Sequence, residues 1–247
     1  MEKAPLHHEI STAPETGAAY WIKADDDVQL RVGHWSAKGV SKGTILFFPG
    51  RGDYIELYGP ALSDFLSAGY AALVIDWRGH GLSDRVAKNL KVGHVDDFSD
   101  YQKDVQAMVR AAQDLDLPKP WHLVAHSMGA CVGLRSLLDG LEVKAVALSA
   151  PMFEIHMASY ERIAAWPLTW AMKAFGKGQT YAPGFNDDSY VFRNAFDGNT
   201  LTNSRDLYER WIMQGTKVPE LHTGGPSMGW LFAALKETRA LSMLASP

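Results

Sequence analysis

Cysteine is nearly missing: Cys131 is the only one in 247 residues, so no internal disulfide can form and no thiolate metal cluster can be built. A lone free thiol suits a reducing, cytoplasmic setting. Long apolar runs are missing too. The first 19 residues are polar, with Glu2, Lys3, His7, His8 and Glu9, and contain neither a signal-peptide core nor a membrane span. Peripheral contact with the inner face of a membrane requires neither. There is no basic run: Lys and Arg total 24 against 28 Asp and Glu, for a formal charge of -4. A phosphate backbone would find no stripe to neutralise it, and nucleic acid is not an expected partner. The nine histidines do not fall at metal-ligand spacing, so no metal is expected.

What is present describes a globular chain. Hydrophobic residues make up 47% and charged residues 21%, enough to bury a core, and the length fits one dominant domain with a sizeable insertion. After a polar leader at 1–17, Tyr20 to Lys23 and Val28 to Trp35 alternate apolar with polar residues around Asp25-Asp26-Asp27, which predicts an antiparallel hairpin. Thr44 to Phe48, Tyr70 to Ile75, Trp121 to Ala125 and Val143 to Leu148 are nearly continuous apolar runs, expected of parallel strands covered on both faces. Helical stretches run over Pro60 to Ala68, Phe98 to Leu115 and Met128 to Leu138, so the fold class is α/β: an open, mostly parallel sheet over 18–150. From Pro151 the alternation stops and aromatic residues gather, with Trp166, Trp170, Trp211 and Trp230 among them; 151–241 is expected to be a helical cap.

The chemistry concentrates at Trp121-His122-Leu123-Val124-Ala125-His126-Ser127-Met128-Gly129, where an apolar strand runs through a small-x-Ser-x-Gly turn into a helix. This is the context of a nucleophile elbow. Ala125 stands where the pattern usually has glycine, at the steric cost of one methyl. Ser127 would project above the sheet at a helix N-terminus, where free N–H groups favour developing negative charge. The turn Pro49-Gly50-Arg51-Gly52-Asp53 ends the preceding strand, and its glycines allow close backbone approach. The N–H groups of Arg51 and Met128 are therefore the expected oxyanion donors, a task that does not need the arginine side chain. On a buried turn, Arg51-Gly52-Asp53 is not an adhesion signal. Asp76-Trp77-Arg78-Gly79-His80-Gly81-Leu82-Ser83-Asp84 lacks dinucleotide-fingerprint spacing and is expected to brace its loop through ion pairs of Asp76, Arg78 and Asp84.

These segments resemble the α/β-hydrolase superfamily, in particular the lysophospholipase and monoacylglycerol lipase group and its bacterial lysophospholipase L2-like branch. Gly50 to Glu56, Asp76 to Ser83, Gly93 to Phe98, Ala125 to Gly129, Leu148 to Phe153 and Gly224 to Trp230 carry the likeness, in order, from about residue 17 onward. The resemblance implies a serine carboxylic-ester hydrolase that forms an acyl-enzyme on Ser127 without metal or organic cofactor, with a small-molecule or lipid ester as substrate. Trp166, Trp170, Met172, Phe175 and Trp230 of the cap are then expected to line an acyl-chain pocket.

The same resemblance implies a histidine and an acid after the cap, in the order Ser, Asp, His. Nothing after Leu241 can supply them, and 242–247 is expected to be only the start of a C-terminal core segment whose strands are missing. His222 is the best internal candidate for the base, while His126, next to Ser127, is expected to point away along the elbow. Two expectations follow: a truncated chain, or a second chain that completes the sheet. The alternative in function is a catalytically inactive fragment or a non-catalytic binding protein of the same fold.

Overall fold

The computed structural model describes residues 1–157 and 159–244. Seven strands form one sheet in the order β1-β2-β3-β5-β4-β6-β7, with β1 Glu2–Ala4, β2 Ala18–Lys23, β3 Gln29–Trp35, β4 Thr44–Phe48, β5 Ala71–Asp76, β6 Trp121–His126 and β7 Val146–Ser149. β1, β2, β3 and β5 pair antiparallel, whereas β5, β4, β6 and β7 pair parallel. The hairpin β2–β3 and the fully buried β4 and β5 follow the patterns in the sequence. The polar leader is not free: Glu2–Ala4 pairs with Trp21, Tyr20 and Ala19.

Helices α1 Gly59–Ser67, α2 Asp100–Asp114 and α3 Met128–Leu138 connect the parallel strands. α2 turns Tyr101, Val105, Met108 and Ala112 inward against Leu123 and Val132, while α1 sends Leu62 and Leu66 to the opposite sheet face beside Phe47 and Val74. The sheet is thus covered on both sides, as a parallel sheet requires.

β7 departs from the expectation of double coverage. Val146 is 43% exposed and Ala147 and Ser149 are exposed as well, because the strand pairs with β6 alone and stands at the edge of the sheet. An unpaired apolar edge is a template for strand addition.

Beyond β7 the chain forms α4 Ser159–Ala174, α5 Tyr190–Arg193, α6 Arg205–Lys217 and α7 Met228–Ser242. α7 is not only cap: its Trp230, Ala233, Ala234 and Leu241 are part of the core cluster that holds Phe98 and Tyr101. α4 packs on the other side of α7, with Trp166 against Phe232 at 6.0 Å between ring centroids. The expected segment 242–247 lies outside the described residues from 245 on.

The loop after β5 is braced by ion pairs of Asp76 and Arg78, and by Asp84 through a hydrogen bond to a main-chain amide. Asp76 bonds Arg31 of β3 at 2.7 Å and accepts from the Ile55 and Leu82 amides. Arg78 pairs with Asp26 and Asp104, and the Asp84 carboxylate caps the Gln29 amide instead of forming an ion pair. Arg31 also forks onto Glu56, both bonds 2.8 Å long, so a fully buried cation joins two strands to the turn at 55–58.

Candidate active site

Ser127 sits between β6 and α3 with φ of +51° and ψ of -117°. A non-glycine residue holds such a conformation only where its surroundings impose it, at a cost of about 1–3 kcal/mol. The surroundings here are specific. The Ser127 amide donates to Ser149 O at 3.0 Å, and the Ser127 carbonyl accepts from Met152 and Ala130 at 3.0 and 3.1 Å. A Cβ built on Gly129 would stand 2.2 Å from the Phe48 carbonyl oxygen and 2.3 Å from that of Pro49, so only glycine lets α3 approach the end of β4 this closely. Ala125 is fully buried with its methyl 3.7 Å from where a Cβ on Gly133 would stand, and the extra carbon is accommodated.

The turn at 50–53 is held against the elbow by a knot of side chains. Asp53 Oδ2 accepts from the Gly50 amide at 2.9 Å and from Tyr58 Oη at 2.5 Å, and lies 3.3 Å from His126 Nδ1. Tyr58 Oη is in turn 3.0 Å from His126 Nδ1. The Asp53 hydrogen bond raises the His126 pKa above its ordinary value against an opposing effect of burial. Burial, with Asp53 beside it, raises that of Tyr58 well above the usual phenol range. From the other side, Trp77 Nε1 donates to Pro49 O at 2.9 Å. Among the described residues, the amides of Arg51 and Met128 donate to no protein acceptor. The first amides of a helix have no intrahelical partner, which leaves that of Met128 free for a ligand.

His126 therefore does not point away along the elbow as expected. It turns toward Asp53 and Tyr58 and lines, with Ser127, Gly50 and Arg51, a cavity of about 340 Å³. Leu201, Leu207, Arg210 and Trp211 of the cap close it from above. A second, larger cavity of about 640 Å³ lies under α4, walled by Met152, Ile155, Leu168, Phe185, Met228 and Trp230. Arg51 lines both. Of the five residues expected around an acyl chain, the structure puts Trp230 on this wall. Trp170 and Phe175 are 60% and 79% exposed, Met172 is half-buried away from the cavity, and Trp166 faces a separate cleft beside Arg239. Composition marked the aromatic stretch, but not which face of α4 meets α7.

His222, His80 and His94 are bound elsewhere. His222 Nδ1 lies 2.7 Å from Ser189 Oγ, between the rings of Tyr54 and Phe192, and burial pushes its pKa down to about 4. His80 is fully buried on the Arg78 carbonyl with its pKa pushed down to about 3 by desolvation. His94 reaches Ser227 Oγ at 2.7 Å and ties its loop to the start of α7. Among the described residues, no histidine hydrogen-bonds the Ser127 hydroxyl. The knot of Asp53, Tyr58 and His126 was not foreseen. The spacing of 73 residues between Asp53 and His126 hides it, and the only hint is that both flank the glycine turn and the serine.

The family model described as serine aminopeptidase, S33, matches residues 39–243, most of the chain. The chain belongs to this family of α/β hydrolases. Lysophospholipase L2 of Escherichia coli is 31% identical to this S33-family chain over 210 residues, which are 83% of this chain and 60% of the relative. The chain thus spans about 60% of the length of that relative. Among solved structures, a soluble variant of monoglyceride lipase from Saccharomyces cerevisiae, in complex with a substrate analog, superposes with a TM-score of 0.65 at 16% identity, covering 96% of this chain and 73% of its own. A carboxyl esterase from Bacillus coagulans does so at 0.65 and 13%, covering 92% and 74%. Among the described residues no helix of this S33-family chain is long and apolar enough to cross a membrane, and no cluster of three metal-ligating side chains occurs.

Proposed function

We propose that this chain carries the nucleophile and oxyanion half of a serine carboxylic-ester hydrolase of lysophospholipase or monoacylglycerol lipase type. The observation that carries the reading is the forced backbone of Ser127 at +51° and -117°, at a strand-to-helix junction beside two free amides. In the reaction Ser127 Oγ attacks the ester carbonyl carbon, and the carbonyl oxygen takes up negative charge between the Arg51 and Met128 N–H groups. The C–O bond to the alcohol breaks, the alcohol leaves with a proton, and water hydrolyses the acyl-serine to free acid.

The serine proton needs a base. On this reading the base and its acid come from polypeptide that adds to the unpaired edge of β7, whose backbone is joined to the elbow through the Ser149 carbonyl. The 640 Å³ apolar cavity supports a single acyl chain as the part of the substrate to be buried. A cytoplasmic site, in contact with the inner face of a membrane, fits a lipid ester of this kind. One observation favours the alternative: among the described residues the Ser127 hydroxyl has no histidine partner, as a binding protein of the same fold would show.

A series of p-nitrophenyl esters tests the reading. Rates that rise from acetate to octanoate and vanish in Ser127→Ala are expected. No rise with chain length argues against the tail site, and a rate unchanged in Ser127→Ala argues against the nucleophile.

A further inference from the structure

The side chain of Arg51 stands where the two cavities meet, and it is bonded unlike the other arginines withdrawn from water. Arg31 has Glu56 and Asp76, Arg78 has Asp26 and Asp104, and Arg135 has Glu237, all within 2.8 Å. Arg85 is met by five acceptors, among them Thr223 Oγ1 and the carbonyls of Gly79, Gly81, Glu220 and His222. Among the described residues Arg51 has one: Nη1 donates to the Gly224 carbonyl at 3.2 Å, and the guanidinium lies over the Trp230 ring at 5.6 Å. Among the described residues, no carboxylate comes within 4.0 Å of it. Asp53, its nearest acidic neighbour in sequence, is committed to Gly50, Tyr58 and His126. Glu154, the carboxylate on the apolar cavity wall, is paired with Arg162.

A guanidinium has five N–H donors in a planar fork that matches the oxygens of phosphate or carboxylate. Taking such a charge out of bulk water without a counter-ion is unfavourable, and burial lowers the pKa of Arg51 for that reason. A partly dehydrated cation with four donors uncommitted, at the junction between an apolar chamber and a strained serine, is a receptor for an anion delivered with the substrate. The fixed contacts to Gly224 and Trp230 hold the fork in place beforehand.

We propose that the Arg51 side chain binds an anionic phosphate oxygen of the substrate, so that the site selects single-chain esters with a phosphate headgroup over neutral monoacylglycerols. This rests on the hydrolase reading for the word substrate, but not for the binding. The main-chain amide and the side chain of Arg51 then have separate tasks, the first at the reacting carbonyl and the second at the headgroup.

Binding of two ethers without a scissile ester tests this independently of turnover: octyl glycerol phosphate and octyl glycerol, titrated calorimetrically at low salt. The phosphate ether is expected to bind about tenfold more tightly, the scale of a charge-assisted pair. In Arg51→Met the ratio is expected to fall to near one. Arg51→Lys, which keeps the charge but loses the fork, should retain an intermediate ratio. Equal affinities in the wild type overturn the proposal with no variant needed, and so does a ratio that persists in Arg51→Met. Inorganic phosphate binding as tightly as the phosphate ether would overturn the assignment to a lipid headgroup. Failure of Ser127 to react with esters would remove the hydrolase reading and leave this result standing.

Discussion

A serine with φ of +51° persists only if its neighbours leave no alternative, and Gly129 is the neighbour that decides it. Gly129→Ala is expected to cost about 3 kcal/mol of stability by urea denaturation, because its methyl would collide with two backbone carbonyls that cannot rotate aside. Esterolysis should be lost with it. His126 acts differently. Its pKa is raised by Asp53, so the folded state favours the imidazolium. The stabilisation from this pair is complete below about pH 6.5, the ordinary value, and is lost as pH rises through the folded value. The stability difference between wild type and His126→Gln should therefore shrink as pH rises above about 6.5; a difference that grows would contradict the pairing. His80 and His222 have the opposite sign. Their pKa values are pushed down by burial, so overall stability should fall as pH drops below about 6.5.

At the scale of elements, one buried cation joins β3, β5 and the turn at 55–58. Arg31→Met would leave Glu56 and Asp76 buried without their partner and should destabilise the protein by about 3–5 kcal/mol in urea. The edge strand β7 calls for a different measurement. Val146→Lys is expected to reduce self-association in sedimentation velocity with little change in stability, because it places a charge on an apolar edge that, among the described residues, no second strand covers. How far the elements could be read in advance follows the same physics. β4 and β5 are continuous apolar runs because both faces are covered, and that pattern is local. Glu2–Ala4 has only three residues and no alternation, so its pairing with β2 left no mark in composition. β7 has the apolar run but not the burial, since burial depends on a neighbour strand. α7 shares the aromatic character of the cap, while the face carrying Trp230, Ala233 and Ala234 belongs to the core. Ser127 was legible because strand, small residues and helix are contiguous; the knot of Asp53, Tyr58 and His126 was not, because the fold alone brings these residues together.

For the whole molecule, the site is made where core and cap meet. The core supplies the elbow, the glycine turn and the knot that fixes it. The cap supplies Trp211 and Leu207 above the serine and the apolar chamber beside Arg51. The two parts are laced together by Arg85 to Thr223, by the paired backbones of Gly93 and Gly225, and by His94 to Ser227. The cap segment 219–227 is thus docked on the core by polar contacts, and both cavities inherit its position. The central claim concerns one serine, Ser127, held at a strand-to-helix turn next to the glycine turn at 50–53. A fluorophosphonate probe followed by peptide mapping tests it most directly: a single adduct on Ser127, absent in Ser127→Ala, is predicted, and an unlabelled Ser127 or an adduct on another residue would contradict it.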